Sequence, residues 1–519
     1  MSGLASVDPV TLEVARNRLS AIADEMGVVL RRTSYSPNIK ERADCSAAVF
    51  VPSGEMLAQA EHIPVHLGSM PASVAAVLHR FGAAAEPGVQ YAVNDPYEGG
   101  THLNDLTLVR SVHMDGVHIG WVANRAHHAD VGGEAPGSMP SHAVRVDQEG
   151  IVVPPTPAVR DGRWVEDFVE PFLAATRTPA ERLGDLSAQL GANEAGAARL
   201  AELAATAGLD RFAAVSDALL AYGERRMRAA LRELPDGEYD FRDVMEWEDR
   251  DVSIRVQVTI SGDELHADFA GTDPQVEGNI NAVEAVTRSC LYYAVRVATD
   301  PEIPANGGCY RAIYLSTPEG SLVNPRAPAA VAAGNVETSQ RIADTLLGAL
   351  AAAAPGRVPA AGQGTMNNVL IGSDDFAYYE TIAGGQGARP GRPGQSGIHT
   401  GMTNTKNTPI ESLEAHYPFR VLRYRLRRGS GGAGEYRGGD GIEREIEFAA
   451  PATVSLMGER RRVAPWGLAG GHPGACGEDW LIRPGASAER LPAKTTLHVE
   501  PGDRLVVLTP GGGGWGKPA

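Results

Sequence analysis

Two apolar runs, Leu106 to His113 and Val117 to Ala126, are separated by a turn built on Asp115-Gly116. Aspartate followed by glycine supplies the left-handed backbone that a tight hairpin demands. A hairpin here constrains the chain well beyond the turn. Folding it back about residues 115 and 116 sets segment 102–105 opposite segment 125–129, so positions about 25 apart become neighbours at the hairpin's open end. The first segment reads His102-Leu103-Asn104-Asp105 and the second Asn124-Arg125-Ala126-His127-His128-Ala129-Asp130. An H-x-x-D pattern thus faces HH-x-D. Imidazole nitrogen with carboxylate oxygen is the usual donor set for a divalent metal that keeps an open coordination position. Nine of the fourteen histidines fall between residues 62 and 142. Pattern alone leaves the register open, because a one-residue slip exchanges His127 for His128 on the facing side.

Other residues compete for roles near that hairpin. Asp44 precedes a short apolar strand, Cys45 to Val51, and is a candidate fourth ligand, although aspartate at such a place commonly serves the turn. His62 and His66 are spaced i, i+4, but Pro64 between them opposes a helix; they rank behind the 102/127 pair, as groups supporting the ligands or facing substrate. Cys45 reads as core. Cys309 lies in the glycine-rich turn Asn306-Gly307-Gly308-Cys309-Tyr310, and neither thiol has a histidine beside it, which weakens a thiol mechanism. Gly511 to Lys517 runs into Pro518 without the Ser or Thr and helix of a phosphate-binding loop, and Gly384 to Gly397 has no preceding strand. Both read as loops or chain ends. Arg427-Arg428 and Arg460-Arg461-Arg462 read as solvated faces, or as contacts for an anionic substrate or acidic partner.

At 519 residues the chain exceeds one ordinary core, and roughly two to four domains are expected. An apolar fraction of 43% and a charged fraction of 21% are those of a globular protein. The net charge of −17 argues against nucleic acid and against an anionic membrane surface. No apolar run reaches the length of a spanning helix, the N-terminus lacks a basic and apolar leader, and four isolated cysteines form no CxxC; a reduced, cytoplasmic protein is expected. Asp8-Pro9 opens an amphipathic helix that carries Leu12, Ala15, Leu19, Ile22, Met26 and Val29 on one face. Residues 178–233 have helical spacing, and Val252, Ile254, Val256, Val258 and Ile260 alternate as in a half-buried strand. The expectation is a multidomain mixed α/β (α+β) fold: 1–235 as a β-rich metal-site region with a helical insert at 178–233, 236–415 as a central α/β domain, and 416–519 as a β-rich domain.

Several longer motifs then bear on function. They are Asp95-Pro96-Tyr97-Glu98-Gly99-Gly100-Thr101-His102-Leu103-Asn104-Asp105, His127-His128-Ala129-Asp130-Val131-Gly132-Gly133, Met402 to Glu411, Ser430 to Gly439, and Arg460 to Leu468. In this order they make the chain resemble the hydantoinase B/oxoprolinase family over nearly its whole length. That family includes B subunits of ATP-dependent hydantoinases and lactamases, the C-terminal half of 5-oxoprolinase, and subunits of acetone and acetophenone carboxylases. The resemblance implies one divalent metal, zinc or manganese, on Asp44, His102, Asp105 and His127, which selects His127 over His128 and promotes Asp44. It implies an A-type partner with an actin-like ATPase fold that carries ATP, in an A2B2 heterotetramer. The partner would phosphorylate the carbonyl of a cyclic amide, and water activated at the metal would attack it, with Glu98, His128 or Asp130 as candidate bases. The alternative is a subunit of an ATP-dependent ketone carboxylase, which this chain's length disfavours. A scaffold whose metal is purely structural stands as a third reading.

Overall fold

In a computed structural model of the chain, residues 7–60, 63–82 and 86–518 are described. His62 lies outside them. Local rules set the first elements. Asp8 caps α1 (Pro9–Thr33), its carboxylate accepting from the Thr11 amide at 2.9 Å, and Leu19, Ile22, Met26 and Leu30 form the buried stripe. One further turn, α2 (Pro37–Lys40), leads into an antiparallel sheet of seven strands. These are β1 (Cys45–Phe50), β2 (Met56–Ala60), β3 (Val89–Val93), β4 (Asp105–Met114), β5 (Val117–His127), β6 (Thr156–Arg160) and β7 (Arg163–Trp164). Their order is β2-β1-β5-β4-β3-β6-β7, so the expected hairpin lies near its centre. Asp115 and Gly116 both take positive φ, +50° and +78°, as that turn requires.

Alternation sends the two faces of this sheet into different cores. Ala47, Val49 and Val122 pack with residues of α1, α5 (Pro179–Ala207) and α6 (Leu209–Leu231). Ala48, Phe50, Trp121 and Ala123 join the largest core, which also takes in α3 (Ser69–Phe81) and α4 (Glu166–Ala175). That core extends into a second sheet, the meander β8 (Gly237–Trp247), β9 (Arg250–Ser261) and β10 (Glu264–Asp268), with β11 (Ile313–Ser316) added parallel to β10. Between the two sheets lie α7 (Glu284–Ala298) and α8 (Ser339–Leu350); a π-helical turn at Gly334–Thr338 runs into α8.

The remaining elements are β12 (Asn368–Gly372), β13 (Ala377–Thr381), α9 (Ile410–His416), β14 (Phe419–Arg427), β15 (Gly441–Phe448), β16 (Ala452–Met457), β17 (Glu478–Ile482), β18 (Glu489–Arg490), β19 (Lys494–Val499) and β20 (Arg504–Leu508). They build two sheets, β13-β12-β16-β19 and β14-β15-β20-β17-β18, around a core that includes Ile371, Tyr378, Phe419 and Leu505. The first of these sheets joins strands from either side of residue 415, where a boundary was expected. The mixed α/β architecture with several sheets agrees with the expectation. Among the described residues no helix is long and apolar enough to cross a membrane.

One expectation needs correction. Arg460 and Arg461 are not on a solvated face: Arg460 is buried against Asp243 and Asp344, both at 2.8 Å, and Arg461 against Asp479. Buried guanidinium groups need such partners, and these span widely separated segments. The terminal glycine run is irregular backbone, as expected, and it is packed into the fold. A Cβ on Gly512 would lie 2.1 Å from the Gln386 carbonyl oxygen, so backbone packs directly on backbone there.

Candidate metal centre

The site begins with strand register. Asp105, the first residue of β4, pairs directly with His127, the last of β5. On the other side of β5, Cys45 pairs with Ala126, which puts Asp44, one residue before β1, beside His127. The Asp44 carbonyl accepts from the His127 amide at 3.0 Å, and the Asn38 side chain donates to the His127 carbonyl at 2.7 Å. Three strands therefore end together with Asp44, His127 and Asp105 in a row. His102 arrives from the preceding loop. Its path depends on glycine, since a side chain on Gly100 would meet the Asn94 carbonyl oxygen at 2.2 Å.

One donor atom each from His102, Asp105 and His127 falls within 4.8 Å of the others. Asp105 Oδ1 is 3.1 Å from His102 Nε2 and 3.1 Å from His127 Nδ1. Donors sharing one tetrahedral ion at about 2.0–2.1 Å lie about 3.3 Å apart, so this spacing suits a common cation. His102 Nδ1 donates to the Ala332 carbonyl at 3.3 Å, which fixes the tautomer and turns the Nε2 lone pair inward. Among the described residues His102 Nε2 faces Asp105 Oδ1 without making a hydrogen bond, and His127 Nε2 is buried without a partner while its Nδ1 faces the same carboxylate. This donor set fits a divalent metal. A cavity of about 20 Å³, room for one small ion or water, is lined by Asp44, Asp105, His127 and His66 among others.

Electrostatics centre on Asp105. Burial alone would raise its carboxyl, but His102, His127 and His66 beside it hold it well below the usual carboxylate range. Burial pushes His127 down to about 4, so the ring is a neutral donor at physiological pH. Burial also pushes the Asp44 carboxyl up to about 7, opposed by the Arg42 guanidinium. Arg42 lies over the ring of Tyr379, 5.1 Å from its centroid, and Tyr379 stacks on His127 with centroids 4.6 Å apart.

The three expected bases are not brought to this cluster, and each has a physical reason. Glu98 is half-exposed and pairs with Arg80 at 3.4 Å. His128, one residue past His127, points to the opposite face and bonds Gln189 of α5 at 2.9 Å. Asp130 is saturated by the amides of Gly132, Gly137 and Arg177 and by the Arg177 guanidinium. His66 is closer than its ranking suggested: its Nε2 is 3.4 Å from Asp105 Oδ2 and its Nδ1 is 2.8 Å from Ser46 Oγ. Two neighbours went unread in the sequence. Asn335, in the π turn, donates to Asp105 Oδ2 at 3.2 Å, and Tyr379 enters from β13. A π turn in a helix is a frequent mark of a functional site, but it has no sequence signature.

A sequence profile described as hydantoinase B/oxoprolinase matches residues 8–518. The chain belongs to that family. It is 40% identical over 535 residues to 5-oxoprolinase 1 of Arabidopsis thaliana, covering 98% of this chain but 42% of the plant protein. The chain therefore spans less than half the length of that relative. The hydantoinase B/oxoprolinase fold is seen in the crystal structure of an ATP-dependent caprolactamase from Pseudomonas jessenii, with a TM-score of 0.93, 31% identity, and coverage of 99% of this chain and 92% of that one. A nucleotide-free acetone carboxylase structure shares the fold at a TM-score of 0.92 and 19% identity, over 98% of this chain and 76% of that one.

Proposed function

We propose that this chain is the metal-bearing B subunit of an ATP-dependent cyclic amide hydrolase. The observation that carries the reading is the buried convergence of His102, Asp105 and His127, with Asp44 beside them. These four residues would hold one zinc or manganese ion. Such an ion supplies Lewis acidity and lowers the pKa of water near it. This chain's residues do the rest. Thr101, Asn335 and His66 surround the Asp105 carboxylate and fix its direction. The Ala332 carbonyl orients His102, while Ile63, Val65 and Met366 line the cavity and limit water.

An amide carbonyl is a poor electrophile, and its activation would come from phosphorylation by ATP on a partner. The caprolactamase is ATP-dependent by name, and this sequence offers no convincing phosphate loop. The partner in this reading is a hydantoinase A-like ATPase, assembled as a cytoplasmic A2B2 tetramer. The test is reconstitution of the chain with such a partner, followed by ATP-dependent ring opening of hydantoin, caprolactam and 5-oxoproline. Hydrolysis that needs both chains and falls to background in His102→Ala is expected. Undiminished hydrolysis in that variant, or ATP-driven carboxylation of a methyl ketone in place of ring opening, would overturn the assignment.

A further inference from the structure

Beside the metal cavity lies a larger one of about 410 Å³, a size suited to a small ring. Thr403 lines both. The segment around it is pinned at two ends. Gln340 of α8 donates to the Thr400 carbonyl at 3.0 Å and accepts from the Met402 amide at 3.4 Å. At the other end, the Lys406 amide donates to the Arg42 carbonyl at 2.9 Å and Arg42 Nε donates back to the Lys406 carbonyl at 3.3 Å. Residues 400–406 thus form a braced wall running from the larger cavity to Arg42, two residues before Asp44.

The chemistry of the larger cavity is selective. Leu67, Tyr293 and Leu347 give it apolar surface. Among the described residues its two charged side chains already have partners: Arg296 donates to the carbonyls of Ile303 at 2.7 Å and Pro301 at 2.9 Å, and Asp344 accepts from Arg460 at 2.8 Å. His399 differs. Both ring nitrogens are buried and neither has a hydrogen-bond partner among the described residues. Orphaned buried nitrogens are costly, and a ligand in the cavity would relieve them. Burial, with Arg42 nearby, pushes His399 down to about 3, so it offers one donor and one acceptor and no charge.

We infer that this cavity receives the substrate ring, that His399 hydrogen-bonds its amide group, and that the preferred substrate is an uncharged cyclic amide rather than one bearing a ring carboxylate. The inference deepens the proposed function and rests on it. A carboxylate placed here would have to draw the Arg296 guanidinium from its bonds to the Ile303 and Pro301 carbonyls, or stay desolvated and unpaired. An apolar ring with a neutral amide would satisfy the wall and His399 together.

The test is binding to the metal-loaded full chain, read by calorimetry with hydantoin, caprolactam and 5-oxoproline as probes. Both neutral rings should bind at least tenfold more tightly than 5-oxoproline. His399→Ala should weaken neutral-ring binding tenfold or more, with metal content and unfolding midpoint unchanged, and His399→Gln should recover part of it. The parent protein's ranking of the rings needs no variant and tests the same claim. Neutral rings that fail to bind, 5-oxoproline binding as tightly as they do, or His399→Ala within twofold of the parent would each overturn it. Metal content measured alongside separates the readings: a metal-free parent undermines the hydrolase assignment, whereas unchanged binding with metal in place defeats the substrate inference alone.

Discussion

At the residue scale the account turns on how one carboxylate is surrounded. Asp105 has His102 and His127 on one oxygen and Thr101, Asn335 and His66 around the other. Groups that orient a ligand without binding the ion commonly change metal affinity about 10- to 100-fold. His66→Gln should therefore weaken the ion's affinity by about that factor while leaving the fold intact, as competition with a chelator will show. Glu98→Gln is the contrasting case. Its exposed pair with Arg80 is worth at most about 1 kcal/mol, so catalysis and stability should both stay within about twofold and 1 kcal/mol of the parent. The H-x-x-D and HH-x-D patterns were enough to single out His102 and Asp105 as candidates, but they left His127 and His128 open, and the choice of His127 came from the family resemblance. The patterns could not rank the bases, because glutamate beside a motif looks the same whether it faces the cavity or solvent. Side-chain direction is decided by contacts such as Arg80 and Gln189 that lie far away in sequence.

At the element scale, local rules explain what was readable. Asp8-Pro9, Asp115-Gly116 and the alternation in β9 each specify backbone geometry through neighbouring residues alone, and the corresponding elements form where expected. The π turn and β13 contribute to the site through tertiary packing, which periodicity does not report. Segment 331–332 shows how such an element is held. Glu149 is buried and accepts from the amides of Val331 and Ala332, and the Ala332 carbonyl in turn orients His102. Burial pushes the Glu149 carboxyl up to about 8 against the pull of those amides, while in the unfolded chain it titrates near about 4.3. Between those values the folded protein keeps a proton that the unfolded chain has lost. Glu149's contribution to stability is therefore greatest below the lower value and declines as pH rises toward the upper one. Thermal unfolding across pH 5 to 9 should show Glu149→Gln flattening this decline; an unchanged slope would contradict it.

At the scale of the whole molecule, the centre is assembled from distant parts of the chain. Asp44 and segment 102–127 come from the first sheet, Asn335 from the π turn, Met366 precedes β12, Tyr379 and Thr381 belong to β13, and Thr403 and Thr405 to the braced wall. A fragment ending at residue 235 should accordingly bind the ion at least 100-fold more weakly than the full chain, which a chelator titration of both will measure. The full chain without an A-type partner should show no ATP turnover. The most direct test of the central claim is elemental analysis of the purified chain. We predict one zinc or manganese per chain in the parent and none in Asp105→Asn at matched folding. A parent free of any divalent transition ion yet fully active with its partner, or an Asp105→Asn protein that keeps its ion, would contradict it.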